Sequence, residues 1–178
     1  MWYNWAMNFE GSLSQPAFML RAARLADAER IFGLIRQHPE ELVPKPMGDI
    51  VASVDRFVVA EAGGEIVGCA AYSILPEIGA AERATVELQS VAVSGTHRRH
   101  GIGRALVEAL LQRVAAFRPA DVLVLTFAPA FFAKLGFAEI PKSQVMHKLY
   151  SGCLHCTKHA DPFTCPEIAM SRRLRAEC

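Results

Sequence analysis

Three arginines and two glycines stand close together in the middle of the chain, and they carry the clearest chemical signal. The segment reads RRHGIGR and runs from Arg98 to Arg104. Gly101 and Gly103 lack a Cβ atom, so the backbone there can approach a bulky anion. A helical pattern follows, and the first turn of a helix offers unpaired N–H groups and the positive end of its dipole. The segment predicts a diphosphate site built mostly from backbone, to which Arg98, Arg99 and Arg104 add charge.

Two familiar phosphate motifs do not match this segment. A dinucleotide fold requires a third glycine, and Leu106 stands in that place. A P-loop requires the tripeptide G-K-[ST], which occurs nowhere in the chain. The pattern that remains is R-x-x-G-x-G between a strand and a helix. The plain alternative is a tight connection whose arginines are only solvated.

The second chemical candidate is Glu87, a carboxylate in the strand that precedes the turn. Its neighbours in that strand are apolar, at Val86, Leu88, Val91 and Val93, and a charge among them is costly unless it has a use. The parity of these apolar positions changes between Leu88 and Val91, which predicts a β-bulge there. A carboxylate so placed can act as a general base, while the alternative is an ion pair at an edge or interface.

The elements that must position these residues follow a clear order. The pattern predicts β-α-α-β-β-β-α-β-α-β, an α/β arrangement on a mixed sheet. Asp27 is predicted to cap the first helix, and Gly63 with Gly64 to close a hairpin. The predicted strands are 18–22, 57–61, 65–75, 84–93, 121–127 and 137–140, and the predicted helices are 28–35, 49–54, 102–117 and 130–135.

This order and the motif together resemble the GNAT N-acetyltransferase superfamily over residues 18–148. The resemblance implies the GNAT fold, an α/β fold whose mixed central β-sheet is flanked by helices and has splayed central strands. It implies acetyl-CoA as co-substrate, with the pantetheine on the backbone of residues 91–93 (Val91, Ala92 and Val93) and the diphosphate on the turn that includes Ile102. It also implies that the Val91 N–H stabilises the oxyanion, with Glu87 as the base.

Three segments narrow the resemblance to short, single-domain amino-acid acetyltransferases, the N-acetylglutamate synthases of arginine biosynthesis. They are VELQSVAV (86–93), FFAKLGF (131–137) and the tail ending in PEIAM (166–170). The resemblance implies acetyl transfer to the α-amino group of L-glutamate, with Lys45 as a partner of its carboxylates. Further candidates for that role are Arg21, Lys134 and Lys148. Many GNAT members have a tyrosine acid where Phe132 stands, so no dedicated acid is expected. Two alternatives stay open: another small amine or a protein N-terminus as acceptor, and an acyl-CoA-binding regulatory module.

Composition limits the remaining possibilities. The 178 residues are 52% hydrophobic and suit one domain, with 1–17 as a flexible extension, 18–148 as the acetyltransferase domain and 149–178 as a cysteine-rich tail. Lys and Arg number 19 against 18 for Asp and Glu, which argues against a nucleic-acid partner. No apolar run reaches the roughly 18 residues of a membrane span. We therefore expect a cytoplasmic enzyme, with a second copy of the chain, in a homodimer, among its partners.

The five cysteines, an odd number, argue against a disulfide framework. Cys69 lies in a predicted strand and is expected to be an inert core residue. Cys153 and Cys156 have the spacing of one metal knuckle, and Cys165 follows, but a second C-x-x-C is missing. Whether this tail binds a metal is left open by the sequence. The candidates for a fourth ligand are His147, His155, His159 and Cys178.

Overall fold

The computed structural model describes residues 18–76, 84–153, 156, 158–159 and 161–174. The expected extension, residues 1–17, lies outside these described residues, as do His155 and Cys178. The strands are β1 (Met19–Ala22), β2 (Phe57–Ala62), β3 (Glu65–Leu75), β4 (Thr85–Val93), β5 (Val122–Thr126), β6 (Ala138–Glu139) and β7 (Ile168–Arg172). The α-helices are α1 (Ala28–Arg36), α2 (Met47–Ala52), α3 (Ile102–Ala115), α4 (Pro129–Ala133) and α5 (Met146–Ser151).

The seven strands follow the order β1-β2-β3-β4-β5-β7-β6 in a mixed sheet. β4 and β5 run parallel, as the continuous apolar pattern of β5 and the intervening helix predict, whereas β5 and β7 are antiparallel. The pairing of β4 with β5 joins Val86 to Val122 and Glu87 to Leu123, and within the described strands it ends there. The predicted α/β fold with a mixed sheet is therefore confirmed.

The chain forms two compact units, and the first contains the described residues up to Ala71 together with Ser90–Leu110. Its core is formed by apolar side chains of α1, α2, β2 and β3, including Ile31, Ile35, Ile50, Phe57 and Val59. Gly68 on β3 lets α3 pack closely. A Cβ at Gly68 would stand 3.0 Å from side-chain atoms of both Ile102 and Leu106.

The second unit contains Tyr72–Gln89 and the described residues from Leu111 onward. Leu75, Leu123, Val145 and Ala169 pack together in one part of its core. Its last strand, β7, pairs with β5 along one edge and with β6 along the other. The expectation that the last strand is 137–140 was wrong, because β6 covers only Ala138–Glu139 and β7 follows it.

Asp27 stands at the start of α1 as predicted, but its carboxylate does not cap that helix. Its Oδ2 atom accepts the backbone N–H of Arg24 at 2.7 Å and a guanidinium N–H of Arg21 at 2.7 Å. Asp27 thus closes the single 3₁₀ turn Leu25–Asp27 that precedes the helix. In the described part of the chain, no helix is both long and apolar enough to cross a membrane.

Candidate functional site

The turn between β4 and α3 lies in the first unit and has a distinctive backbone. It begins with the 3₁₀ turn Gly95–His97, and two later residues, Arg99 and Gly101, have positive φ angles of 67° and 78°. Arg99 accepts the left-handed conformation at a steric cost, whereas Gly101 adopts it freely. The carbonyl of Gly101 accepts the N–H of Ala105 at 3.0 Å, which starts α3. The glycine predicted from the motif therefore sets the entry into the helix.

The first residues of α3 are Ile102, Gly103 and Arg104, and their N–H groups have no partner within the helix because of helical geometry. The helix is 14 residues long, enough for a developed dipole. Gly101 is exposed, and among the described residues no heavy atom outside its chain neighbours lies within 4 Å of where its Cβ would stand. The backbone at this point is open to an approaching anion.

The three arginines of the turn have different surroundings. Arg98 donates to both carboxylate oxygens of Glu41, at 2.5 and 3.3 Å, and its Nη2 lies 2.8 Å from His38 Nδ1. Arg104 pairs with Glu108 at 2.8 Å, as its i, i+4 spacing predicts. Arg99 is exposed and has no hydrogen bond or ion pair among the described residues. Of the three, Arg99 is the one whose charge is not already engaged by a described carboxylate.

The predicted bulge coincides with a local change of backbone conformation. Ser90 has a φ of 53° in the middle of β4, which breaks the alternation of the strand. The Cys69 thiol donates to the Ser90 carbonyl across 3.5 Å. Cys69 is fully buried, and burial raises the pKa of its thiol to about 12, so it is the inert core residue that the sequence predicts. After the bulge, Ala92 is buried while Val91 and Val93 are half-buried.

Glu87 lies in the second unit with its side chain only 5% exposed. Its Oε2 atom forms an ion pair with Lys148 Nζ at 2.8 Å and also accepts a short hydrogen bond from Gln89 Nε2. Both contacts fall on the same oxygen, so neither of them uses the lone pairs of Oε1. The carboxylate is thus charge-compensated and oriented at one oxygen. Among the described residues none binds the other oxygen, whose lone pairs can accept a substrate proton.

Lys148 itself is 14% exposed and stands among acidic groups. Burial lowers its pKa, but the charge and hydrogen bond of Glu87, with smaller contributions from Cys153 and Glu167, outweigh burial and raise the pKa overall. Glu167 is half-buried, and this partial burial together with the charge of Glu87 raises its pKa. The sequence offered Lys148 only as a partner of the acceptor's carboxylates and missed its ion pair with Glu87 and the nearby Glu167. Its one local signal was Gln89, two positions along the strand and hence on the same face as Glu87.

Two of the predicted acceptor-binding cations, Arg21 and Lys45, differ in their environment. Arg21 forms ion pairs with Asp27 at 2.7 Å and with Glu61 at 2.8 Å, and these favour a structural role for it. Lys45 is half-buried in the loop between α1 and α2. Phe132 is buried and packs edge-on against Phe137, with ring centroids 5.5 Å apart, as an apolar side chain would.

The cysteine tail surrounds a small cavity in the second unit. Its volume is about 10 Å³, and its lining residues are Leu125, Cys153, Cys156, His159, Pro162, Cys165 and Glu167. The three cysteines are free thiols. Among the residues that the structure describes, no group of three or more His, Cys, Asp or Glu side chains is arranged to hold a metal ion. Metal binding by Cys153, Cys156 and Cys165 therefore stays a prediction.

Comparison with known proteins gives consistent results. A sequence model of the acetyltransferase (GNAT) family matches residues 22–137. An uncharacterized N-acetyltransferase of Chlorobaculum tepidum is 31% identical, over 87% of this chain and 96% of its own length. An amino-acid acetyltransferase of Mycobacterium tuberculosis is 34% identical, over 74% of this chain and 75% of its own length.

Solved structures show the same fold. A Mycobacterium tuberculosis protein crystallised with CoA superposes with a TM-score of 0.73 at 29% identity, covering 88% of this chain and 99% of that one. The N-acetylglutamate synthase of Neisseria gonorrhoeae gives a TM-score of 0.73 at 21% identity. It covers 89% of this chain and 35% of the synthase, and at that identity the likeness concerns the fold.

Proposed function

The chain belongs to the GNAT acetyltransferase family and is an acetyl-CoA-dependent acetyltransferase, and we propose that it acetylates the α-amino group of L-glutamate. Relatives named amino-acid acetyltransferase support an amino acid as acceptor. The segments VELQSVAV and FFAKLGF support glutamate among amino acids through their resemblance to N-acetylglutamate synthases. The reaction would then be the first step of arginine biosynthesis in the cytoplasm. Homodimer formation remains a prediction.

For the acetyl donor, we propose that the turn and the first residues of α3 bind the diphosphate. The N–H groups of Ile102, Gly103 and Arg104 supply hydrogen bonds, and the helix dipole and Arg99 supply positive potential. The backbone of Val91 and Val93, just past the bulge, would bind the pantetheine amides. The positive φ of Gly101 and the exposure of its backbone support this role.

For the chemistry, we propose that Glu87 is the general base. The α-ammonium of the acceptor passes a proton to Oε1, directly or through a water, and the amine nitrogen then attacks the thioester carbon. A C–N bond forms, and the negative oxygen is stabilised by the Val91 N–H. The C–S bond then breaks, and the nitrogen, which still carries one proton more than an amide holds, loses that proton to water or to the departing thiolate. CoA leaves as a thiolate, which needs little help because an ordinary thiol has a pKa of about 8.5. Phe132 cannot donate a proton, and a thiolate leaving group does not require one.

The observation that carries this proposal is the buried carboxylate of Glu87 held at one oxygen by two donors. Asp27, the other buried carboxylate of the described chain, differs in this respect, because Arg21 binds both of its oxygens. On the acceptor, the carboxylates of glutamate would need cations. Lys45 is proposed for this task, because it lies in the loop between α1 and α2 that the family resemblance assigns to the acceptor side. Arg21, which forms ion pairs with Asp27 and Glu61, is the second candidate.

One observation favours a different acceptor. Near Glu87 the structure has one half-buried lysine, Lys148, and a half-buried second carboxylate, Glu167, so the local charge is not positive. A neutral amino acid, or the amine of a peptide N-terminus, would suit such surroundings better than a dicarboxylate if it binds next to Lys148.

The test is CoA release from acetyl-CoA with a panel of acceptors at equal concentration. The panel is L-glutamate, L-glutamine, L-leucine, L-lysine and a short peptide with a free N-terminus. We expect the highest kcat/KM for L-glutamate, lowered by Lys45→Met and much less by Lys134→Met. Preference for a neutral amino acid or the peptide would replace glutamate as acceptor. Tight CoA binding without turnover of any amine would instead support the regulatory-module alternative.

A further inference from the structure

We propose that Lys148 is a positioning residue for Glu87, so that the C-terminal segment beyond the matched family region completes the catalytic carboxylate. The family match ends at residue 137, whereas Lys148 lies on α5 and Glu167 directly precedes β7. The inference rests on the proposed function, because it assigns Glu87 the role of base. It gives this C-terminal segment a part in the reaction that the GNAT motif does not include.

The geometry of α5 supports this role. Two consecutive residues of α5 reach β4: His147 Nε2 lies 2.8 Å from Thr85 Oγ1, and Lys148 Nζ lies 2.8 Å from Glu87 Oε2. Thr85 and Glu87 are two apart on the strand and therefore point to the same face. A helix fixed by two such contacts holds its ammonium in one place relative to the carboxylate.

Because the carboxylate of Glu87 is buried, it requires a nearby positive charge, which Lys148 supplies. A carboxylate buried as deeply as Glu87 costs free energy unless an opposite charge compensates it, and only the charged form can accept the substrate's proton. Lys148 supplies that charge in a contact from which water is largely excluded. Glu167 and Cys153 are the other titratable groups whose charges act on Lys148 among the described residues, and both are acids. Neither can replace the ammonium.

The two oxygens of the Glu87 carboxylate have different roles: Oε2 binds the residues that position the group, and Oε1 accepts the proton. Lys148 and Gln89 both bind Oε2, which fixes the plane of the group and directs Oε1 elsewhere. Loss of Lys148 would remove the charge and one of the two restraints on that plane. A smaller effect is expected from loss of Gln89, which is a neutral donor.

The experiment compares Lys148→Met and Lys148→Arg with wild type by the pH profile of kcat/KM for the acceptor. For Lys148→Met we expect a loss of roughly 10- to 100-fold near neutral pH, with the acid limb moved up by about one pH unit or more. Activity should recover partly at high pH. Lys148→Arg should keep the acid limb of wild type, because it keeps the charge, and CoA binding measured by calorimetry should be unchanged in both.

The matched control is Lys142→Met in the same segment. Lys142 donates to the carbonyls of Pro162 at 2.9 Å and of Cys165 at 2.5 Å, so its loss loosens the segment without removing the charge at Glu87. It should lower activity by the same factor at every pH. If Lys148→Met also lowers kcat/KM by the same factor at every pH, the positioning role is overturned. Full activity in Glu87→Gln would instead refute the base assignment itself, which separates the two failures.

Discussion

The turn at residues 94–104 and the surroundings of Glu87 use charge in different ways. The turn is exposed, and its chemistry lies in backbone N–H groups and a helix dipole that depend on conformation more than on any one side chain. Glu87 is buried, and its chemistry depends on a single side chain whose partners are Gln89 on the same strand and Lys148 on the distant helix α5. A backbone site tolerates many side-chain changes, whereas a buried carboxylate depends on each of its few contacts.

The largest effect should come from placing negative charge in the turn, which would break the backbone site. In the double variant Gly101→Asp, Gly103→Asp, two carboxylates would face the diphosphate at the N-terminal end of α3. We expect kcat/KM for acetyl-CoA to fall roughly 100-fold or more, since like charges about 4 Å apart repel by several kcal/mol near a surface. The measurement is initial-rate kinetics with acetyl-CoA varied.

The matched control for that variant is Gly101→Asn, Gly103→Asn, which has the same shape without the charge. Asn and Asp are both tolerated at positive φ better than most side chains, so backbone strain is similar in the two variants. The Asp variant should have a much lower kcat/KM for acetyl-CoA than the Asn variant, and this difference should become smaller at high salt. Equal activities in the two would mean that no anion binds at this turn.

The next largest effect concerns the buried carboxylate. Glu87→Gln keeps the shape of the side chain and removes its ability to take a proton. We expect kcat to fall by roughly 100- to 1,000-fold, the range of a general base, while the KM for acetyl-CoA changes little. Glu139→Gln, the same substitution at an exposed position of β6, should leave kcat unchanged. A Glu87→Gln enzyme whose kcat is within a few-fold of wild type would contradict the assignment.

A smaller effect is expected when one side-chain charge of the turn is removed and its backbone is left unchanged. Arg99→Gln should raise the KM for acetyl-CoA by roughly 3- to 10-fold, because one exposed cation contributes modestly to phosphate binding. Arg118→Gln is the control, since Arg118 is also exposed and also has a positive φ, of 49°. It should have no effect on KM. A loss as large as that of the double Asp variant would mean that Arg99, and not the backbone, dominates diphosphate binding.

The difference between the two regions also explains which features could be predicted from the sequence. The positive φ of Gly101, the change of backbone conformation at Ser90 and the pairing of Arg104 with Glu108 agree with local patterns of the sequence. They depend on residues a few positions apart. Backbone conformation at a turn follows from such short-range rules.

The contacts around Glu87 could not be predicted in this way. Lys148 and Glu167 are distant in sequence from Glu87 and meet it only because α5 packs on β4 and β7 inserts beside β5. The strand β7 has a short apolar pattern, Ile168 to Met170, that is too brief to indicate a strand by itself. A single buried glutamate suggested a function, but its partners required the three-dimensional fold.

The last prediction contrasts the functional ion pair of Glu87 with a structural one in the first unit. Asp27 is 10% exposed at its side chain and pairs with Arg21 at 2.7 Å. We expect Asp27→Asn to lower the free energy of unfolding at pH 7 by about 2 kcal/mol, the magnitude of a lost charged hydrogen bond. Its kcat should equal that of wild type once folded. Asp49→Asn, at an exposed position in the first turn of α2, should change stability by only about 0.5 kcal/mol.

The pH dependence of that stability difference tests its cause. The hydrogen bond from Arg21, opposed by burial and aided by the N–H of Arg24, lowers the pKa of Asp27 in the folded protein. A lowered pKa stabilises the fold above the unfolded value of about 3.9, and the contribution is lost as pH falls through the folded value. Urea unfolding of wild type and Asp27→Asn should therefore differ most at neutral pH and converge below pH of about 4. A difference that stays constant on acidification would mean that lost packing, and not the ion pair, destabilises the variant.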